Sequence, residues 1–279
     1  MNLRNRLSMA KLYYTCIYYD MLTIVRTVTI LLIGVILVYY LFFRFTLHIL
    51  PKKNAELVLQ RNADSFYETL TEMDLKMRGV ASIADYRNKI MNCCVEPTID
   101  DRFRIGWIIM CACFTLCYTH PIQNEWFNSV KCALDIPWNI GMVDDTNRYE
   151  AGLSHTRGDI IFITRKTLYE PDIITTMIHE KIHTYQKTYP SSIENYIHIF
   201  NFTPKITLHE NVARNDEYVR ANPDTNEWIY TDENNHLLKA VYSPDAGTIR
   251  HVQYTPCNSQ YCEHPYERMV YDILDLMKM

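Results

Sequence analysis

Apolar residues cluster in this chain in runs of different length, and the lengths separate its parts. The longest run, residues 27–43 (TVTILLIGVILVYYLFF), is uncharged and bounded by Arg26 and Arg44. Its 17 residues sit at the short end of a bilayer span, and the two arginines could snorkel to lengthen its reach. Tyr39, Tyr40, Phe42 and Phe43 suit an interfacial belt at one end. The expectation is one transmembrane helix, with the basic N-terminal side in the cytosol. A cleaved signal peptide fits less well, because the apolar core begins late and no small-residue cleavage site follows it.

Beyond that run the pattern turns amphipathic. Leu57, Phe66, Leu70, Met73 and Met77 recur among charges, which predicts helix over 54–91, closed by a turn in CCVEPTIDD. Residues 105–118 (IGWIIMCACFTLCY) form a second apolar run, too short for a comfortable span and better read as a buried core helix. Residues 121–157 read as irregular. DIIFIT, 159–164, reads as a strand introduced by Gly158. Pro171 can open a helix that runs to about Lys187 and is over by Pro190. The region 191–262 is mixed, with turns at 222–224 and 244–247. A last helix begins near Pro265, with Met269, Ile273, Leu276 and Met277 on one side. The sum is an α+β chain, mostly helical with a small sheet, in three parts: 1–53, 54–150 and 151–279.

Composition narrows the function. With only 7 glycines and no glycine-rich phosphate loop, nucleotide-cradling folds drop out. Net charge is −4, divided as +6 over residues 1–53 and −10 over the rest. An acidic body offers no broad phosphate-binding face, so nucleic acid is not an expected partner. Among 9 cysteines, Cys111, Cys113 and Cys117 lie in an apolar run and read as small hydrophobes. Cys93, Cys94, Cys257 and Cys262 are placed to form disulfides in an oxidising compartment. Asn201-Phe202-Thr203 is a glycosylation sequon, weakened by the Pro204 behind it.

The chemical signature is TTMIHEKIHTYQ, residues 175–186. Residues four apart on a helix share a face, so His179 and His183 can present nitrogens to one tetrahedral zinc, one ion per chain. Glu180 lies about 100° round from His179, beside the metal, where a general base would take a proton from an activated water. Ile174, Met177, Ile178 and Ile182 supply a core-facing side. The ordinary alternative is a solvated histidine pair. Against it, the motif is mid-helix, a strand precedes it, and carboxylates follow. In zinc peptidases such a strand forms the cleft wall and pairs with extended substrate, the role expected of DIIFIT.

Gln186 and Tyr189 replace the glycine and histidine of the three-histidine form, so a later carboxylate is expected as third ligand. Glu267 is the first choice. Pro265 opens its helix, and Tyr271 or Asp272 one turn later could hydrogen-bond a ligating histidine. Glu217 is the alternative, with Glu263, Glu210 and His209 behind it. Tyr266, His264, Tyr185 and Arg157 are candidates to assist a tetrahedral intermediate. His155 and Arg157, just before the strand, could face the cleft or belong to a polar turn.

Taken together, HTRGDIIFIT, HEKIHTYQKTYP, NPDT and EHPYERMVYDI resemble, in this order, the HExxH proteins predicted as zinc metallopeptidases in large DNA viruses and some microbes. The resemblance covers about residues 153–274. It implies a zincin-like fold, His179 and His183 as ligands, Glu180 as catalytic residue and Glu267 as third ligand. The N-E-x-x-x-D ligand helix of better-known carboxylate-ligand peptidases is absent. The expected function is a single-pass membrane-anchored zinc metallopeptidase acting on peptides or proteins, in a viral envelope or internal virion membrane if the resemblance extends to source. The rivals are a non-catalytic structural or binding membrane or virion protein on the same scaffold, and a zinc hydrolase of a non-peptide amide.

Overall fold

A computed structural model describes residues 21, 23–34, 46–118, 131–146, 148–215 and 218–277, and the chain divides into two compact units, Met1–Thr46 and Leu47–Met279. In the first unit, residues 23–34 are helical and exposed. Among the described residues no helix is long and apolar enough to cross a membrane. Residues 35–43 of the expected span lie outside the described residues.

The second unit is α+β. Its first sheet has the order β1-β2-β4-β3. In it β1 (Leu47–Ile49), β2 (Trp138–Val143) and β4 (Ile160–Thr164) run parallel, and β3 (His155–Arg157) closes the edge antiparallel to β4. β4 is the strand read from the sequence. It is buried along its whole length and paired on both sides, so it is not the edge strand it was expected to be. β1, β2 and β3 fall in segments read as membrane anchor or irregular. Gly141 disguised β2, yet the strand needs it: a Cβ there would stand 2.6 Å from the Phe162 ring on β4. β1 and β2 join the sheet of β3 and β4, so this sheet draws strands from each of the three parts.

The second sheet is antiparallel, in the order β5 (Thr203–Thr207), β6 (Trp228–Thr231), β7 (Leu237–Tyr242), β8 (Val252–Thr255). One core cluster spans both sheets and the N-terminal helices, including Leu59, Tyr67, Tyr86, Phe162, Ile206 and Ile229.

The stretch 54–91 is not one helix but four: α1 (Lys52–Arg61), α2 (Phe66–Thr69), α3 (Glu72–Met77) and α4 (Ile83–Ile90). The breaks are made by local polar chemistry that apolar periodicity does not register. Asn62 adopts a left-handed conformation at the end of α1, and its side chain accepts from the Tyr67 N–H. Thr71 and Asp74 cap α3 reciprocally, and Ser82 caps α4. α5 (Ile99–Tyr118) is longer than expected and only half buried. Ile105, Ile108, Ile109, Ala112 and Leu116 face inward, while Phe103, Trp107 and Phe114 are exposed. Completing the helices are α6 (Ile173–Thr188), α7 (Pro190–Ile199), α8 (Leu208–Asn215) and α9 (Pro265–Met277).

A buried ion pair ties α3 to the turn before β3. Arg78 forks onto Glu150 at 2.9 and 2.7 Å, and Tyr86 donates to the same carboxylate. Glu150, Ala151 and Gly152 all have positive φ, a backbone that costs energy at the first two and persists because this pair and the core fix it. Burial alone would raise the Glu150 pKa; Arg78 outweighs it and holds the carboxyl down to about 2. The folded-state pKa is therefore below the ordinary 4.5, so this stabilisation is complete above that value and is lost as pH falls toward 2. Glu150→Gln is expected to cost about 3 kcal/mol at neutral pH. In urea unfolding, its deficit against the wild type should shrink between those two pH values; a deficit independent of pH refutes the assignment.

Candidate metal centre

α6 packs against β3, β4, α5 and α9, and residues 177–186 are buried almost all round, His179 excepted. Ile173, rather than Ile174, begins its buried side. His179 and His183 stand one turn apart and face α9. That helix opens with Pro265, whose missing N–H is harmless in a first turn, and Glu267 follows two residues on. His183 Nε2 lies 3.1 Å from His179 Nε2. Glu267 brings Oε2 to 3.3 Å from His179 Nε2 and Oε1 to 3.6 Å from His183 Nε2. These three residues form a group that could hold a metal ion, as expected for Glu267. Burial alone would raise the Glu267 pKa, but the two imidazoles hold it well below the carboxylate range.

Surrounding side chains orient the ligands. Gln186 donates from Nε2 to the Tyr266 carbonyl at 3.0 Å, which turns its Oε1 toward His183 Nδ1 at 2.8 Å. The oxygen can only accept, so Nδ1 carries a proton, and Nε2 is the ring nitrogen that faces the group. Asn222 donates to Glu267 Oε1 at 2.8 Å and fixes the carboxylate. Behind it, Arg220 forks onto Glu263 at 2.7 Å. Asp224, two residues after Asn222, accepts from the Thr156 N–H and hydroxyl, both at 2.6 Å. Lys187 donates to the Thr156 and Pro223 carbonyls.

Glu180 is buried beside His179, and its Oε2 has no hydrogen-bond partner among the described residues. Burial, with the Asp224 and Glu267 carboxylates, pushes its pKa well above the usual range. Both residues line a cavity of about 420 Å³, together with Glu267, Tyr271, Asn222 and His155.

The other candidates do not join this group. Glu217 lies outside the described residues. Glu263 is held by Arg220, Glu210 accepts from the Thr207 N–H, and His209 contacts the Glu68 carbonyl. Arg157 forks onto Asp64 at 2.7 Å and also donates to Asn62 and Tyr149. His264 pairs with Asn226, Tyr266 packs edge-on to His264, and Tyr185 packs on Tyr189. Tyr271 meets the His179 ring edge-on at 5.4 Å but donates to Gln260, while Asp272 accepts from Tyr196 and Tyr261. The orienting bond expected of Tyr271 or Asp272 is made by Gln186. Cys257 and Cys262 form a disulfide just before α9, whereas Cys93 and Cys94 are free and buried.

Gln186, Asn222, Asp224 and Lys187 were not singled out as site residues. Gln186 registered only as a missing glycine, and Asn222–Asp224 only as a turn. No family model, curated protein or solved structure matches the chain.

The purified chain is expected to bind one divalent ion, with His183→Ala and Glu267→Gln abolishing it. Asn222→Ala should weaken binding by about 10–100-fold through the loosened carboxylate. A chelator-competition titration measures both; unchanged affinity in the Glu267 variant excludes this ligand set.

Proposed function

We propose that this chain is a zinc metallopeptidase of zincin-like arrangement, hydrolysing peptide bonds in peptide or protein substrates. The observation that carries the proposal is the unsatisfied Glu180 oxygen beside a buried two-histidine, one-carboxylate group, on the wall of a cleft. The donor set fits zinc. Ligand atoms about 2.0–2.1 Å from a tetrahedral ion stand roughly 3.3 Å apart, and the separations here are 3.1, 3.3 and 3.6 Å. Three protein ligands, rather than four, are the pattern of catalytic zinc sites. When bound, zinc supplies Lewis acidity, lowering the pKa of a water and polarising a carbonyl.

The chain's own groups account for the rest. Glu180 takes the proton of the attacking water on Oε2 and returns it to the leaving amine. Gln186 and Asn222 keep His183 and Glu267 in place through the cycle. A non-catalytic zinc-binding role on the same scaffold is the second reading. It is favoured by the commitment of Arg157 and Arg220 to carboxylates, which removes two cations that could have stabilised an oxyanion. Membrane attachment through residues 27–43 belongs to the proposal on its sequence pattern, and predicts that the full chain stays in the membrane pellet after an alkaline carbonate wash.

Glu180→Gln separates the two readings. A peptidase is expected to lose at least about 100-fold in turnover of a quenched-fluorescence peptide library while retaining its zinc. Wild-type protein with one zinc per chain and no cleavage anywhere in the library sinks the catalytic reading.

A further inference from the structure

Sheet-edge strands ordinarily recruit an extended peptide through their free N–H and C=O groups. β3 is the edge beside the metal centre, and its middle residue is already engaged. The Thr156 N–H donates to Asp224 at 2.6 Å, and its carbonyl accepts from Lys187 at 3.0 Å. Asp224 and Thr156 are buried, and Pro223 accepts a further bond from the same ammonium. A substrate cannot add to the sheet at this point without displacing a carboxylate and an ammonium from each other and from the backbone. Recognition falls instead to side chains of the cavity.

Two of those side chains hold an acceptor atom without a partner among the described residues. His155 lines the cavity, only 2% exposed, with its ring stacked on Phe162 and edge-on to Tyr149. Its Nδ1 lies 2.9 Å from the Leu153 carbonyl, so that nitrogen bears the proton and Nε2 the lone pair. Nε2 has no partner among the described residues, nor does Glu180 Oε2. Most charges of the wall are spent in pairs: Glu150 with Arg78, Glu263 with Arg220, Asp224 with Lys187. Glu170 and Asp172, exposed where α6 begins, have no basic partner among the described residues. Arg250 is the remaining cation of the wall, and it donates to the Ala151 carbonyl. Outside the metal group, Glu170 and Asp172 outnumber Arg250 among the wall's charged side chains that no ion pair holds.

We infer that the cleft selects substrates bearing an ammonium group, a free α-amino end or a lysine side chain, and takes them end-on rather than as an added strand. This rests on the peptidase reading only in taking the ligand to be a peptide. The test uses the full chain carrying Glu180→Gln, loaded with zinc, and fluorescent hexapeptides followed by anisotropy. Glu180→Ala is the background if the glutamine variant loses zinc.

Four peptides separate the sources of the ammonium: free or acetylated N-terminus, each with or without one lysine. A charge-assisted hydrogen bond to a carboxylate predicts about 10-fold tighter binding for at least one ammonium-bearing class over the acetylated, lysine-free peptide. Glu170→Gln combined with Asp172→Asn should cut that preference to under about 3-fold without changing zinc content. His155→Phe, which keeps the stacked ring and removes the acceptor, should weaken the ammonium peptides alone. Equal binding of all four peptides, or a preference that survives the double variant, overturns the inference. Preference in binding without any cleavage by the wild type sinks the peptidase reading and leaves this one standing.

Discussion

Glu180, Asp224, Glu263 and Glu267 are all buried around one cavity, and burial resists each of their charges. The local architecture is largely the set of answers to that crowding. Arg220 forks onto Glu263, Lys187 and Thr156 answer Asp224, and two imidazoles with Asn222 answer Glu267. Glu180 is left with one oxygen unmatched. Burial and the neighbouring carboxylates raise its pKa, and its unmatched oxygen is the one a proton-transfer role requires to be free.

A single turn connects these answers. Asn222 reaches the ligand on α9, and Asp224, two residues on, reaches the edge strand of the first sheet. The bond from Arg78 to the Ala221 carbonyl, and that from the Ala221 N–H to Asp74, tie the same turn to the N-terminal helices. The helices around residues 52–90 thus act on the metal centre at one remove. They hold the backbone from which Asn222 projects.

How much of this could be read in advance follows from the range of each interaction. α6, α9 and β4 were legible because their cues are local: a proline start, a helical period, a β-branched run. The histidine pair was legible for the same reason, and Glu267 through its place in the first turn of α9. The four helices of 52–90 were not, because Asn62 and Thr71 act through side-chain hydrogen bonds that a hydrophobic pattern ignores. β2 was hidden by Gly141, whose need appears only when Phe162 is laid beside it. Gln186 and Asn222 are ordinary polar residues until α6 and α9 meet. The edge role given to DIIFIT passed to β3 because pairing on both sides of β4 depends on β2, which the pattern did not reveal.

The whole antiparallel sheet β5–β8 is threaded between the two halves of the ligand set, with His179 and His183 before it and Glu267 after. The centre is therefore a long-range closure whose parts come together only when everything between them has folded. An ion held there acts as a clasp on the finished chain, adding its binding free energy to the native state and none to partly built ones that lack α9. A nick anywhere in the intervening sheet would leave the HExxH helix whole while cutting the covalent link between the two halves of the group. Occupancy of this group by a metal ion would thus report on the integrity of the fold.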